Sequence, residues 1–528
     1  STVRQFLDIA SQLSAERHFQ SLLDGLIVQT VAAAHADAGT IYLMDDDGKE
    51  LVPSAWQNVN LDRLLTEPPP VAVEDGESGH PLRDACREKS MLIGQLSAVG
   101  MPAGLGWLAA RFPGQSVSFL AVPLSNRENR TIGVLFLAKS AVETAFSSEQ
   151  AAFVNALSGT LAVAIDNQRL MRAQKALLDA VIRVVAGAID AKSPYTGGHC
   201  QRVPELTLML AEAACRSDSR PFHDFKMDED EWETLSIAAW LHDCGKLTTP
   251  EYVVDKATKL ETLFDRIHEI RMRFEVLKRD AEIACLRGVA EGGERAALEA
   301  AMHAELAALD DDFAFVAACN IGGEALPDGA EERLHRIAAR TWQRTLDDRI
   351  GISQIEKRRK ERLPEPVLPV VEPLIADRED HRIDHQTAGP LPADIKVTAP
   401  TYRLDLGELH CLSVNRGTLT AEERFLINNH IVQTIIMLRG LPFPEYLKDV
   451  PDIAGNHHEH LDGTGYPRGL EAAAMIPQAR MMAIADIFEA LTASDRPYKL
   501  GKPLSEAVTL LAGYVRMGHL DRDLFELF

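Results

Sequence analysis

The residues able to do chemistry gather in two short stretches. Ala454 to Pro467 holds His457, His458, Glu459, Asp462, Gly463, Gly465, Tyr466 and Pro467, and Leu241 to Pro250 holds His242 beside Asp243, then Gly245, Lys246 and Pro250. Adjacent imidazoles, and an imidazole beside a carboxylate, are rarely buried alone, because each polar group removed from water needs a partner. A metal ion is the partner that satisfies such a set. Mixed imidazole and carboxylate ligation suits iron, manganese, zinc or nickel and disfavours a pure magnesium site.

The elements that must position these groups can be read around them. Leu235 to Leu241 predicts a buried helix with His242 and Asp243 in its last turn and Gly245 as its stop. Lys246, one turn on, is either a point charge beside the same centre or a solvated helix-end cation. In Asp462-Gly463-Thr464-Gly465 the glycines allow positive φ and close backbone approach, and Pro467 stiffens the exit. Asp486 lies between Met481 and Phe488, in a helical pattern apolar nearly all round. A lone carboxylate there is costly, so metal ligation explains it better than a core hydrogen bond. His199 follows the turn-rich Ser193 to Gly198 and opens a helix, where a lone histidine is ordinarily a surface or capping residue. His430 sits on the helix opened by the Thr420/Glu423 capping box, facing an apolar stripe with Ile427, Ile431 and Ile435. By itself it reads as a core histidine.

On these motifs the chain resembles the HD-GYP family of metal-dependent phosphohydrolases, which hydrolyse the bacterial messenger cyclic di-GMP. The resemblance covers roughly residues 175 to 260 and 411 to 528 and implies an all-α catalytic domain. It makes His199, His242, Asp243 and Asp486 one ligand set and His430, His457 and His458 a second, with Asp243 bridging two divalent ions, iron or manganese ahead of zinc or nickel. Lys246, Gly463, Gly465, Tyr466, Arg496 and Lys499 are then substrate-binding, and Asp243 and Lys246 catalytic. Two such ions clamp a phosphodiester for in-line attack, giving pGpG, with further cleavage to GMP left open. Family members with a third metal hold it through a Glu four residues before the first His; Tyr195 stands there, so two metals are expected. Glu489 replaces the usual Asp. Another cyclic dinucleotide as substrate, or a signalling module of low turnover, are the alternatives.

The family's continuation after Lys256 to Leu260 resumes only at Gly417 to Glu423, so residues 261 to 415 read as an insertion. Its apolar periodicity predicts helices over Leu263 to Leu286, Glu294 to Leu309 and Ala330 to Leu346, followed by the Pro-rich Leu363 to Pro373. Such an insertion either covers the site or dimerises, or else projects away as a solvated hairpin.

Upstream, helical spacing over residues 2 to 35 gives way to two hairpins, Gly39 to Met44 with Leu51 to Trp56, and Val117 to Leu124 with Thr131 to Ala138. This order resembles a GAF domain over residues 1 to 165, an α+β fold with an antiparallel sheet and flanking helices. It either binds an unidentified small molecule near Asp62 to Trp107 or only dimerises. Apolar positions from Val154 to Ile189 predict a connecting helix, 166 to 192, that pairs in a homodimer or packs on its own domain. The catalytic domain then runs from 193 to 528.

At 528 residues the chain needs several domains. Its net charge of −23 excludes non-specific binding to nucleic-acid polymers or anionic membranes and requires any phosphate site to be built locally. Seven scattered cysteines give neither a disulfide framework nor a zinc ribbon, as expected of a cytoplasmic protein. No apolar run is long enough to span a bilayer. The chain opens on Ser1 rather than Met, which leaves room for an upstream anchor.

Overall fold

The computed structural model describes residues 19–45, 47–58, 67–73, 79–97, 99–140, 145–192, 198–323, 325–385, 391–493 and 501–528. The chain divides into two compact units, Ser1–Asp179 and Ala180–Phe528.

In the first unit, helix α1 (Phe19–Ala33) buries Leu22, Leu23, Leu26, Ile27 and Val31, the face its spacing predicts. Strands β1 (Ala38–Met44) and β2 (Glu50–Asn58) form the first hairpin, followed by β3 (Val71–Ala72), α2 (Pro81–Glu88), β4 (Leu92–Leu96) and α3 (Trp107–Arg111). The second hairpin, β5 (Val117–Ser125) and β6 (Thr131–Ser140), completes a six-stranded antiparallel sheet in the order β3-β2-β1-β6-β5-β4. The central strands β1 and β6 are buried almost throughout, because both sheet faces are covered. One face packs against α1 and the start of the next helix, through Leu157, Leu161 and Ile165. The other face, with Tyr42, Phe119 and Phe136, is filled by Leu105, Trp107 and Leu108 from the irregular middle. Helix α4 (Ser148–Lys192) is a single element of 45 residues. No described helix is long and apolar enough to cross a membrane.

The second unit is mainly helical. α5 (His199–Arg216) packs on α6 (Glu229–Leu241), whose N-terminus is closed by an Asp228/Glu231 capping box. A 3₁₀ turn, Cys244–Thr248, follows directly and leads to α7 (Glu251–Val254). Between these and the later helices come α8 (Ile267–Ala290), α9 (Arg295–Ile321) and α10 (Ala330–Ala338). The sequence expects the third of these to run to Leu346, but it stops at Ala338. Thr341–Arg344, β-branched and aromatic at its start, instead forms strand β7. After α11 (Gln354–Lys360), β8 (Val370–Pro373) pairs with β7, and β9 (Arg382–Ile383) pairs with β10 (Leu404–Asp405). Two small sheets therefore stand where helices and a Pro-rich return are expected.

The chain then forms α12 (Glu408–Leu412), α13 (Ala421–Arg439), α14 (Val450–Gly455), α15 (Pro477–Thr492), α16 (Leu504–Arg516) and α17 (Arg522–Leu527). The two ends of the 261–415 segment meet where Lys259 Nζ donates to Leu412 O at 3.0 Å, and the C-terminal end of α9 lies between the flanking stretches of chain: Lys259 N–H donates to Asn320 O at 2.8 Å and Gly417 N–H to Gly323 O at 2.9 Å. The Thr420/Glu423 capping box forms as expected, and Glu423 also pairs with Lys256 at 2.6 Å, both side chains fully buried. Glu423→Ala strands the Lys256 ammonium away from water. It should destabilise this unit by about 3–5 kcal/mol in chemical denaturation.

Candidate metal centre

Four histidines are fixed through Nδ1, three of them the same way. Nδ1 of His242 donates to Ala239 O (2.7 Å), that of His430 to Ile427 O (2.5 Å) and that of His457 to Ala454 O (2.6 Å), each to the carbonyl three residues back. His199 Nδ1 donates instead to Glu489, whose other oxygen accepts from Arg202 Nε at 2.9 Å and Nη2 at 2.6 Å. Fixing Nδ1 as the donor leaves each Nε2 with its lone pair free, the arrangement in which imidazole ligates a metal.

Three of these Nε2 atoms, those of His199, His242 and His430, converge on Asp243. Its Oδ2 lies 3.1 Å from His199 Nε2 and 3.2 Å from His242 Nε2, and its Oδ1 lies 3.1 Å from His430 Nε2. Asp486 Oδ1 approaches His199 Nε2 at 3.4 Å and His242 Nε2 at 3.9 Å. His458 Nε2 stands 3.3 Å from His430 Nε2. Two groups result, His199 with His242 and Asp243, and His430 with His457 and His458, and each brings its ligand atoms close enough for one ion.

The fit to a cation can be tested on the polar atoms themselves. Nε2 of His242, Nε2 of His457 and Oδ1 of Asp243 are buried without a hydrogen-bond partner among the described residues. Orphan atoms of this kind are rare in folded proteins, and here all three belong to the ligand candidates. The donor set of imidazoles and carboxylates fits divalent transition metals, and these residues are able to hold such ions.

The local field agrees at both carboxylates and at His457 and His458, while against burial the carboxylates of Asp243, Asp486 and Glu489 raise His199 well above its ordinary value. Burial alone would raise the Asp243 carboxyl, yet Lys246, His242 and His199 hold it well below the usual carboxylate range. Asp486 is likewise held down against burial, by His199, His457 and His458. Burial, reinforced by neighbouring His242, pushes His457 down to about 4, and burial with His457 and His430 lowers His458 well below its ordinary value. Both stay neutral, as ligands must be. Lys246 Nζ donates to Asp243, and its side chain is three-quarters covered.

The turn after His458 packs tightly against this centre. The Tyr466 ring stacks on His458 with centroids 5.0 Å apart. Gly463 adopts φ +79°, and a Cβ on Gly465 would lie 2.2 Å from His460 N, so both glycines are required by the backbone. Glu459, between the ligand His458 and the turn, accepts from Arg468 N (2.6 Å) and Leu470 N (2.8 Å) and fixes the loop rather than facing the centre.

The seven ligand candidates, Lys246 and the Gly-Tyr-Pro turn are thus brought together, while Arg496, Lys499 and Tyr195 lie outside the described residues. Sequence reasoning passes over Glu489 and Arg202 as functional residues. The available signal was their spacing: each lies three residues from a ligand, Asp486 and His199, and so on the same helix face.

Residues 369–524 match the HD domain family and residues 12–166 the GAF domain family. The HD match begins after His199, His242 and Asp243, which the folded geometry brings to the site. The chain is 38% identical over 126 residues to a 3'3'-cGAMP-specific phosphodiesterase of Vibrio cholerae, covering 23% of this chain and 28% of that protein. It is 39% identical over 112 residues to a cyclic di-GMP phosphodiesterase of Pseudomonas aeruginosa, covering 21% and 26%. A cyclic di-GMP phosphodiesterase of Thermotoga maritima is 36% identical over 117 residues, covering 22% and 31%. The chain spans less than a third of the length of each of these relatives. The chain thus combines a GAF domain match and an HD domain match, and it is similar over part of its length to phosphodiesterases of cyclic dinucleotides.

Proposed function

We propose that the chain is a phosphodiesterase that opens cyclic di-GMP to pGpG and then GMP at a centre of two divalent ions, iron or manganese. The observation that carries this reading is Asp243, whose two oxygens face separate histidine groups. Bound there, a pair of ions supplies Lewis acidity for in-line attack of water on the phosphodiester. His199, His242 and Asp486 would hold one ion, His430, His457 and His458 the other, and Asp243 would serve both. Lys246 keeps Asp243 ionised and places a cation where a phosphate oxygen would lie, while Gly463, Gly465 and Tyr466 form the wall beside it. Arg496 and Lys499 are further phosphate contacts in this reading. Residues 193–528 then form the catalytic domain, interrupted at 261–415, and 1–165 a GAF sensor for a small molecule. A homodimer through 166–192 is supported by Leu170, Leu177, Val181 and Val184, exposed at spacings of seven, four and three. Paired cysteines are lacking, which suits a cytoplasmic setting.

Glu489 is a positioning residue for His199 in this account. Glu489→Gln should lower metal affinity about 10–100-fold, read by competition with a chelating dye. Unchanged affinity would mean that the carboxylate only anchors Arg202.

The activity is tested by chromatography of products after incubating Mn(II)- or Fe(II)-loaded protein with cyclic di-GMP, with and without chelator. Chelator-sensitive pGpG is expected. A second substrate, 3'3'-cGAMP, belongs in the same assay because a relative carries that specificity in its name. Failure on both would sink the phosphodiesterase reading.

A further inference from the structure

The 261–415 segment returns to the metal centre before it ends. Asp394 pairs with Arg439 through both oxygens (3.0 and 2.7 Å) and with Arg468 Nε at 3.1 Å. Lys396 N–H donates to Pro467 O at 2.8 Å. Arg439 ends the helix that carries His430, and Arg468 follows the turn that stacks on His458. The clamp therefore ties this stretch to both elements of one metal position.

A pocket of about 400 Å³ results, with Lys396 and Thr398 on one wall, Asn428 and Asn429 on the His430 helix, and Phe425 and Tyr466 as apolar sides. Its size lies at the small end of ligand pockets, about 300–1,000 Å³, suited to one nucleoside rather than a whole cyclic dinucleotide. The amides of Asn428 and Asn429 have no hydrogen-bond partner among the described residues, and the exposed Lys396 has no carboxylate partner among them. Lys396 is the one charged side chain among the described residues lining the pocket. An ammonium beside free amides matches guanine: O6 and N7 accept from a lysine, and an amide carbonyl accepts from the N1–H and N2–H edge. Adenine presents N6–H₂ where guanine has O6, so donor would face donor.

We propose that this pocket seats one guanine of the substrate and that Lys396, carried by the 261–415 segment, reads its O6/N7 edge. The proposal rests on the phosphodiesterase reading for the identity of the substrate, and it gives the segment a part in substrate choice.

The test is calorimetric titration of GMP and AMP into the full Mn(II)-loaded chain, native and Lys396→Ala, with KM for cyclic di-GMP measured on the same samples. The native chain should prefer GMP over AMP by about tenfold or more. In Lys396→Ala that preference should vanish and KM rise by a similar factor, with metal content unchanged. A preference that survives in Lys396→Ala, or none in the native chain, overturns the proposal. Lys396-dependent GMP binding without turnover of cyclic di-GMP would overturn the phosphodiesterase reading and keep the pocket. Turnover with a KM indifferent to Lys396 does the reverse.

Discussion

In Asp243→Ala, metal binding and phosphodiesterase turnover are expected to disappear together. The side chain faces Nε2 of His199, His242 and His430, and Lys246 pairs with it; among the described residues no other carboxylate lies at ion-pair distance from both histidine groups. Asp486 approaches only the first of them by ion-pair distance. Removing Asp243 leaves each position one anionic ligand short and sets a lysine ammonium against neutral imidazoles. A bound metal contributes several kcal/mol to stabilising a phosphoryl transition state, and about 1.4 kcal/mol corresponds to tenfold in rate. The expected loss in kcat is therefore at least about a thousandfold, with circular dichroism unchanged. Elemental analysis beside the kinetics checks it. Turnover retained in a metal-free Asp243→Ala protein contradicts the mechanism.

The second large effect comes from a residue that touches no ligand atom. Gly245 lies in the turn after Asp243 and donates its N–H to Thr434 Oγ1 at 2.9 Å. A Cβ there would sit 1.9 Å from His430 O and 2.6 Å from Thr434 N, both backbone atoms of α13 that no rotamer change can move. Gly245→Ala must push α13 back by more than about 1 Å, and His430 moves with it away from Asp243. A misplacement of about 1 Å in a catalytic array costs about 100-fold. The variant should bind one metal ion through His199, His242 and Asp243, lose the second, and fall about 100-fold or more in turnover. Two ions with native turnover would show that α13 can yield without opening the centre.

Most of the site was legible because its chemistry is local in sequence. His242-Asp243 and His457-His458 are adjacent pairs, and the Thr420/Glu423 box marks the start of the helix that carries His430. Asp486 was legible as a carboxylate in an apolar helix, which needs a partner. The Glu489–His199 contact was not, because it joins residues 290 apart in sequence and depends on how α15 lies against α5. The first unit followed from its two hairpins, whose strands alternate with clear turn signals.

The 261–415 segment resisted reading for a different reason. Its long helices are periodic and were placed within a few residues, apart from the ends of α9 and α10. Strands of two to four residues carry too little alternation to be told from helix or loop. The Asp394 clamp gives no sequence signal at all: its partners Arg439 and Arg468 lie 45 and 74 residues away, on elements recognisable only for their histidines and glycines.

The central claim is that one carboxylate joins two metal positions, and anomalous X-ray diffraction from Mn(II)-loaded crystals tests it most directly. The account predicts two anomalous peaks a few Å apart, each within bonding distance of a different oxygen of Asp243, one ringed by His199, His242 and Asp486 and the other by His430, His457 and His458. A single peak, or two peaks of which one is not bonded to Asp243, would contradict it.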